Sequence, residues 1–121
     1  MTTKMEVEKF LITLKEKIKI FDIAFRPRDK NITSVADLDI LPADRIKYLM
    51  NLSPDDYYSG PNRDTYDPDK PDYYEFGIQI KKKEVYIKIS LGLLNKRVDC
   101  MSFHISEYQI VYPLKISSYA S

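Results

Sequence analysis

Cysteine is nearly absent from this 121-residue chain: Cys100 stands alone, which excludes an internal disulfide framework and suits a reducing compartment. Histidine is equally scarce, with His104 the only one. Without CxxC or HExxH, an ordinary zinc site is excluded, and no metal or other cofactor is expected. The three glycines, Gly60, Gly77 and Gly92, are isolated, so there is no Gly-rich phosphate loop. No apolar run reaches membrane-span length and no signal-peptide h-region opens the chain; the expectation is a cytoplasmic protein with no membrane partner.

Charge of one sign is also lacking, since the net is only +1. That excludes the strongly basic character of an obvious nucleic-acid binder. The distribution is uneven, however. Residues 1–52 carry ten basic and eight acidic side chains, residues 53–75 two and seven, and residues 76–121 seven and three. An acidic segment thus precedes a basic one. Length predicts a single domain over 1–121, with 1–52 mainly helical, 53–73 an acidic loop rich in Tyr and Pro, and 74–121 an antiparallel sheet.

Periodicity supplies the elements. Val7, Phe10, Leu11, Leu14, Ile18 and Phe21 recur at helical spacing and predict a helix over 5–21. Ile23-Ala24-Phe25 reads as a short edge strand. A second helix is expected over Asn31–Leu38 with Ile32, Val35 and Leu38 inward and Asn31 or Thr33 as cap. A third is expected from Pro42 to about Leu52 with Ile46, Leu49 and Met50 buried. Strands follow: Tyr74–Ile80, then Glu84–Leu91 after a turn through Lys81-Lys82-Lys83, then Val98–His104, with a last one over Glu107–Tyr112. Helices first and a meander afterwards predict an α+β domain.

The two central runs carry the chemistry. Val85, Ile87, Ile89 and Leu91 alternate with Glu84, Tyr86, Lys88 and Ser90, the period of a half-buried strand. With Met101 and Phe103 inward, Cys100, Ser102 and His104 share the opposite face. A three-residue loop Leu94-Asn95-Lys96 pairs Leu93 with Arg97, Ile89 with Met101, Ile87 with Phe103, Lys88 with Ser102 and Tyr86 with His104. Opposed residues have Cβ atoms roughly 4.5–5.5 Å apart. A phenol, an ammonium and an imidazole then share one sheet face. Tyrosines stack on unpaired bases and lysines grip phosphates. Gln79, Ser102, Tyr58 and the Lys81, Lys82, Lys83 run are accordingly candidate substrate-binding residues. Taken singly, Tyr86 reads as cross-strand packing, Lys88 and the lysine run as solvated charge, and His104 as a hydrogen-bonded edge residue.

The order Leu-Ser-Pro-Asp-Asp-Tyr-Tyr (Leu52–Tyr58), Glu-Val-Tyr-Ile-Lys-Ile (Glu84–Ile89) and Met-Ser-Phe-His (Met101–His104) resembles the MqsR family of mRNA-interferase toxins over roughly Pro42–His104. The resemblance implies a RelE-like fold and the toxin part of a type II toxin–antitoxin system. It also implies metal-independent cleavage of mRNA and neutralisation by a cognate antitoxin. The family's strand tyrosine and lysine fall on Tyr86 and Lys88. Its catalytic lysine after Ser-Phe is replaced by His104, and the lysine after the Asp-aromatic-Tyr turn by Ser59. The catalytic expectation is therefore His104 for proton transfer, Lys88 for phosphate stabilisation and Tyr86 for orientation or proton donation. The alternative is a non-catalytic RNA- or protein-binding module on the same scaffold.

Overall fold

The computed structural model describes residues 2–115, so the end of the expected 74–121 sheet region lies partly outside the described residues. Helix α1 spans Lys4–Phe21 and is capped by Thr3, whose hydroxyl accepts from the Glu6 amide at 3.2 Å. It buries Val7, Phe10, Leu11, Leu14 and Ile18. Phe21, expected in that stripe, lies at the last turn and is 36% exposed. Asp22 ends the helix with φ +72° and hands the chain to β1, Ile23–Phe25.

Helices α2 (Asp29–Asp37) and α3 (Asp44–Met50) follow, then a 3-10 turn at Pro54–Asp56. The strands are β2 (Tyr57–Asn62), β3 (Tyr73–Ile80), β4 (Lys83–Ser90) and β5 (Val98–Ile105). They form one five-stranded sheet in the order β1-β5-β4-β3-β2. The α+β class holds, but the sheet is mixed and not the expected antiparallel meander, because β1 runs parallel to β5. Parallel neighbours need a long connection, and here two helices and three strands separate the pair. α1 packs on one face, where Phe10, Leu14, Phe76, Ile87, Ile89 and Phe103 belong to a single core. Among the described residues, no helix is long and apolar enough to cross a membrane.

Four further expectations need correction. The supposed irregular loop over 53–73 contains the 3-10 turn and β2, which pairs with β3 at the sheet's outer edge. Proline lacks an amide hydrogen, so Pro61 is tolerated in an edge strand where a central one would lose a ladder bond. The last strand over Glu107–Tyr112 does not form; that segment crosses the sheet's polar face instead. Pro42 precedes α3, and the helix proper starts at Asp44, whose carboxylate accepts from the Leu41 amide at 2.8 Å. Leu49 is buried as expected and Ile46 and Met50 half-buried.

The fourth correction concerns α2. Leu38 is buried, but Ile32 is 58% exposed and the inward residues are Asn31 and Ser34. Neither Asn31 nor Thr33 caps the helix; Arg28 occupies that place. The reason is hydrogen-bond demand. β1 pairs with β5 only from Val98 to Cys100, which leaves the rest of that edge bare. Asn31 donates to the Met101 carbonyl at 3.2 Å and accepts from the Phe103 amide at 3.0 Å, and the Ser34 hydroxyl accepts from the Ile105 amide at 2.9 Å. Two polar side chains continue the ladder where the strand stops.

Candidate functional site

The β3–β4 hairpin turns on Lys81 and Lys82, both at positive φ (49° and 69°), which pairs Ile80 with Lys83 and sets the register of everything beyond. Gly77 then faces Tyr86, and Glu75 faces Lys88. Across the other edge of β4, Tyr86 pairs with His104, Lys88 with Ser102 and Ile87 with Phe103, as the sequence predicts. The expected Ile89–Met101 pair is replaced by Ile89–Cys100, because a bulge follows Lys88–Ser102 and makes Met101 the extra residue. Cys100 therefore enters the core, fully buried, instead of sharing the face of His104. Toward the turn, the ladder stops at Ser90–Asp99, so the expected Leu93–Arg97 pair does not form, and Asn95 sits at positive φ (59°).

His104 is half-buried, and its ring centroid lies 5.4 Å from that of Tyr86, tilted by 45°. Its Nδ1 sits 2.9 Å from the Ile105 carbonyl oxygen. A carbonyl only accepts, so Nδ1 carries the proton of the neutral ring and Nε2 keeps its lone pair. The geometry thus fixes the tautomer that serves as a base.

Tyr86 is committed elsewhere. Its hydroxyl donates to Glu75 Oε2 in a short contact, and Glu75 Oε1 accepts from Asn62 Nδ2 at 3.1 Å. Burial first, then the bond to Glu75, pushes the phenol far above its ordinary range. A phenol so held is a poor proton donor, which leaves Tyr86 the orienting or stacking role. Lys88 lies one pair further along, with Nζ 4.2 Å from the Tyr73 ring centroid.

Beside His104 and Tyr86 opens a cavity of about 340 Å³, lined also by Lys30, Tyr58, Glu75 and the stretch Ser106–Ile110. Its far wall is anchored by Glu84, whose carboxylate accepts from the Ile110 amide and the Tyr112 hydroxyl, each at 2.9 Å. Tyr112 crosses directly over Gly77: a methyl there would meet its hydroxyl oxygen at 2.5 Å. The sheet face that carries Tyr86 and His104 is thus partly covered by the chain's own 106–112 segment.

The sequence-predicted residues separate accordingly. His104, Tyr86 and Tyr58 line the cavity; Lys88 borders the same face without lining it. Ser102 is 3% exposed and unavailable to a ligand. Gln79 lies on the far side of Gly77, in a separate recess with Asp55, Asp56 and Tyr112. Lys81 donates to the Asp39 carbonyl at 2.6 Å, Lys82 tips the turn, and Lys83 has the strand parity of Val85 and Ile87. The lysine run therefore does not flank the site.

Sequence reasoning missed Lys30, Glu75 and the 106–110 wall. Glu75 shares the parity of Gly77 and Gln79 on its strand, a usable signal. Lys30 carried none, because its place depends on how α2 docks. The acidic segment also reaches the site's edge. Backbone amides of Asp67 and Tyr66 hold the Asp64 carboxyl below the usual carboxylate range, and Lys70 and Lys88 pull in the same direction. The chain matches no family model, and no curated protein or solved structure matches it.

Proposed function

We propose that this protein is a metal-independent endoribonuclease acting on single-stranded mRNA, the RelE- and MqsR-like toxin of a toxin–antitoxin pair in the cytoplasm, held in check by a cognate antitoxin. One observation carries the reading: the sole imidazole lines a cavity with Nδ1 satisfied and Nε2 left basic. In the proposed reaction, Nε2 takes the proton of a ribose 2′-hydroxyl and O2′ attacks the adjacent phosphorus. The P–O5′ bond breaks, and the 5′-oxygen takes a proton from water or an ammonium at the rim. The products are a 2′,3′-cyclic phosphate and a 5′-hydroxyl. Tyr58 and Tyr86 offer aromatic faces to the flanking bases. Lys88 adds positive potential along the strand's path. No step needs a cofactor.

Proton-transfer groups of this kind contribute about 10²–10⁴-fold. His104→Ala is expected to lose cleavage of an RNA oligonucleotide by that order while melting as the wild type does. An oligonucleotide with a single 2′-deoxy substitution at the cut position is expected to resist. Growth arrest on induction is expected to vanish with the same variant and on co-expression of the antitoxin. Undiminished cleavage by His104→Ala would remove the proposal.

A second reading, a non-catalytic RNA- or protein-binding module, is favoured by two features. Glu75 holds Tyr86 through its hydroxyl, and the Lys88 ammonium lies 4.2 Å from the Tyr73 ring centroid, so two of the three expected groups already have partners. RNA binding without any cyclic-phosphate product would decide for it.

A further inference from the structure

We infer that Lys30 and His104 form a seat for a phosphate oxygen, and that the Glu107 carboxylate fills this seat until a phosphodiester displaces it. The seat's part in cleavage rests on the nuclease reading; its anion binding does not.

The argument begins with the α2 clamp. Asn31 is buried and bonded to the Met101 carbonyl and the Phe103 amide on β5, so the backbone of the preceding residue is fixed beside that strand. Lys30, His104 and Glu107 all line the main cavity. They also line a second recess on the α2 side, which Asp29 borders as well. The imidazole thus stands between two hollows, and the same ammonium and carboxylate border both. Lys88, by contrast, lines neither. The cation that shares both hollows with the imidazole comes from the helix and not from the strand.

Lys30 Nζ pairs with Glu107 Oε1 in a short contact, with side chains 59% and 48% exposed. Both Lys30, first, and His104 hold the Glu107 carboxyl below its ordinary range. The Glu107 carboxylate is held by the Lys30 ammonium and borders the same two hollows as His104, whose Nε2 becomes a donor once it has taken a proton; an ammonium and an imidazolium recognise a phosphate oxygen as they do a carboxylate. An exposed pair of this kind resists displacement by only about two- to fivefold. Glu107 sits two residues past the end of β5, at the root of the 106–115 segment, so it withdraws without disturbing the sheet.

The chain's single histidine gives one imidazole resonance to follow in the intact protein. Titration with inorganic phosphate and with a nucleoside 3′-monophosphate, at low salt, is expected to shift it saturably. Glu107→Gln is expected to tighten both ligands about two- to fivefold. Lys30→Ala is expected to weaken them about two- to fivefold, the loss of one exposed ion pair, and Lys30→Arg to restore binding. Equal affinities for wild type and Glu107→Gln, or no saturable shift in either, would overturn the seat. So would unchanged binding in Lys30→Ala; should that variant fail to melt cooperatively, Lys30→Gln replaces it. Phosphate binding in this pattern without RNA cleavage would sink the nuclease reading alone. His104-dependent cleavage at full rate in Lys30→Ala would sink the seat alone.

Discussion

Replacing Asn31 by alanine removes one of the two polar side chains that join α2 to the sheet. Asn31 is 2% exposed and makes three bonds: Nδ2 to the Arg26 carbonyl at 2.9 Å and to the Met101 carbonyl at 3.2 Å, and Oδ1 from the Phe103 amide at 3.0 Å. Alanine leaves the Phe103 amide and the Met101 carbonyl facing an apolar void. An unsatisfied buried donor or acceptor costs about 1–3 kcal/mol, so the expected loss is about 3 kcal/mol once partial water entry is allowed for. Against a total stability of about 5–15 kcal/mol, that is a large share. Urea unfolding is expected to show the drop as a lower midpoint with unchanged slope, and thermal melting a fall of roughly 10 °C. Asn31→Asp sharpens the case. It keeps the acceptor for Phe103 but aims a second acceptor at two carbonyls. The new carboxyl is therefore favoured when protonated in the fold, so its penalty is expected to be small near pH 4 and to grow as pH rises. A loss below about 1 kcal/mol for alanine, or a pH-independent penalty for aspartate, would refute the clamp.

Three further perturbations probe the packing around the sheet. Gly77→Ala drives a methyl into Tyr112 and Ile110, whose Cδ1 it would meet at 2.7 Å; overpacking of about 1–3 kcal/mol is expected to lift the 106–115 segment and expose the Ile110 amide to exchange, and unaltered protection would disprove this. Tyr86 and Tyr112 are both held above the ordinary phenol range, by burial first and then by Glu75 and Glu84. Their stabilisation is present below the unfolded phenol value, about pH 10, and is lost as pH rises above it, so Tyr86→Phe is expected to flatten the alkaline fall in urea midpoint; an identical pH profile would contradict the assignment. Burial pushes the Cys100 thiol up, so an anionic disulfide reagent is expected to label it only on unfolding, and prompt labelling of the native protein would overturn that.

What was legible in the sequence was whatever follows from one element's own period. The α1 stripe and the β3–β4 hairpin come from period and turn length, whereas the Tyr86–His104 and Lys88–Ser102 pairs come out as expected only because the bulge at Met101 makes up for a loop whose register differs from the expected one. What escaped depends on a second element. Ile32 reads as core by spacing, yet the bare edge of β5 draws Asn31 and Ser34 inward instead. β2 hides behind Gly60 and Pro61, which break its pattern without breaking its pairing. Lys30 joins the site only because α2 docks as it does. The Lys81–Lys83 run illustrates the opposite error, since near neighbours in sequence sit on a turn that points away from the cavity.

The bulge at Met101 is the step on which the site turns. A strand in strict alternation would place His104 on the side of Val98 and Cys100, both fully buried. Shifting every residue by one would rescue His104 but expel Val98 and Cys100 from the core. One extra residue resolves the conflict. Before it, Val98 and Cys100 face α1; after it, Phe103 and Ile105 do, and Ser102 and His104 face the other way. The same irregularity brings the Met101 carbonyl and the Phe103 amide into reach of Asn31, which fixes α2 and with it Lys30. Core packing, edge satisfaction and the placing of base and ammonium therefore share one cause. Interrupting the alternation that identifies β5 as a strand is also what gives it a polar face with chemistry on it.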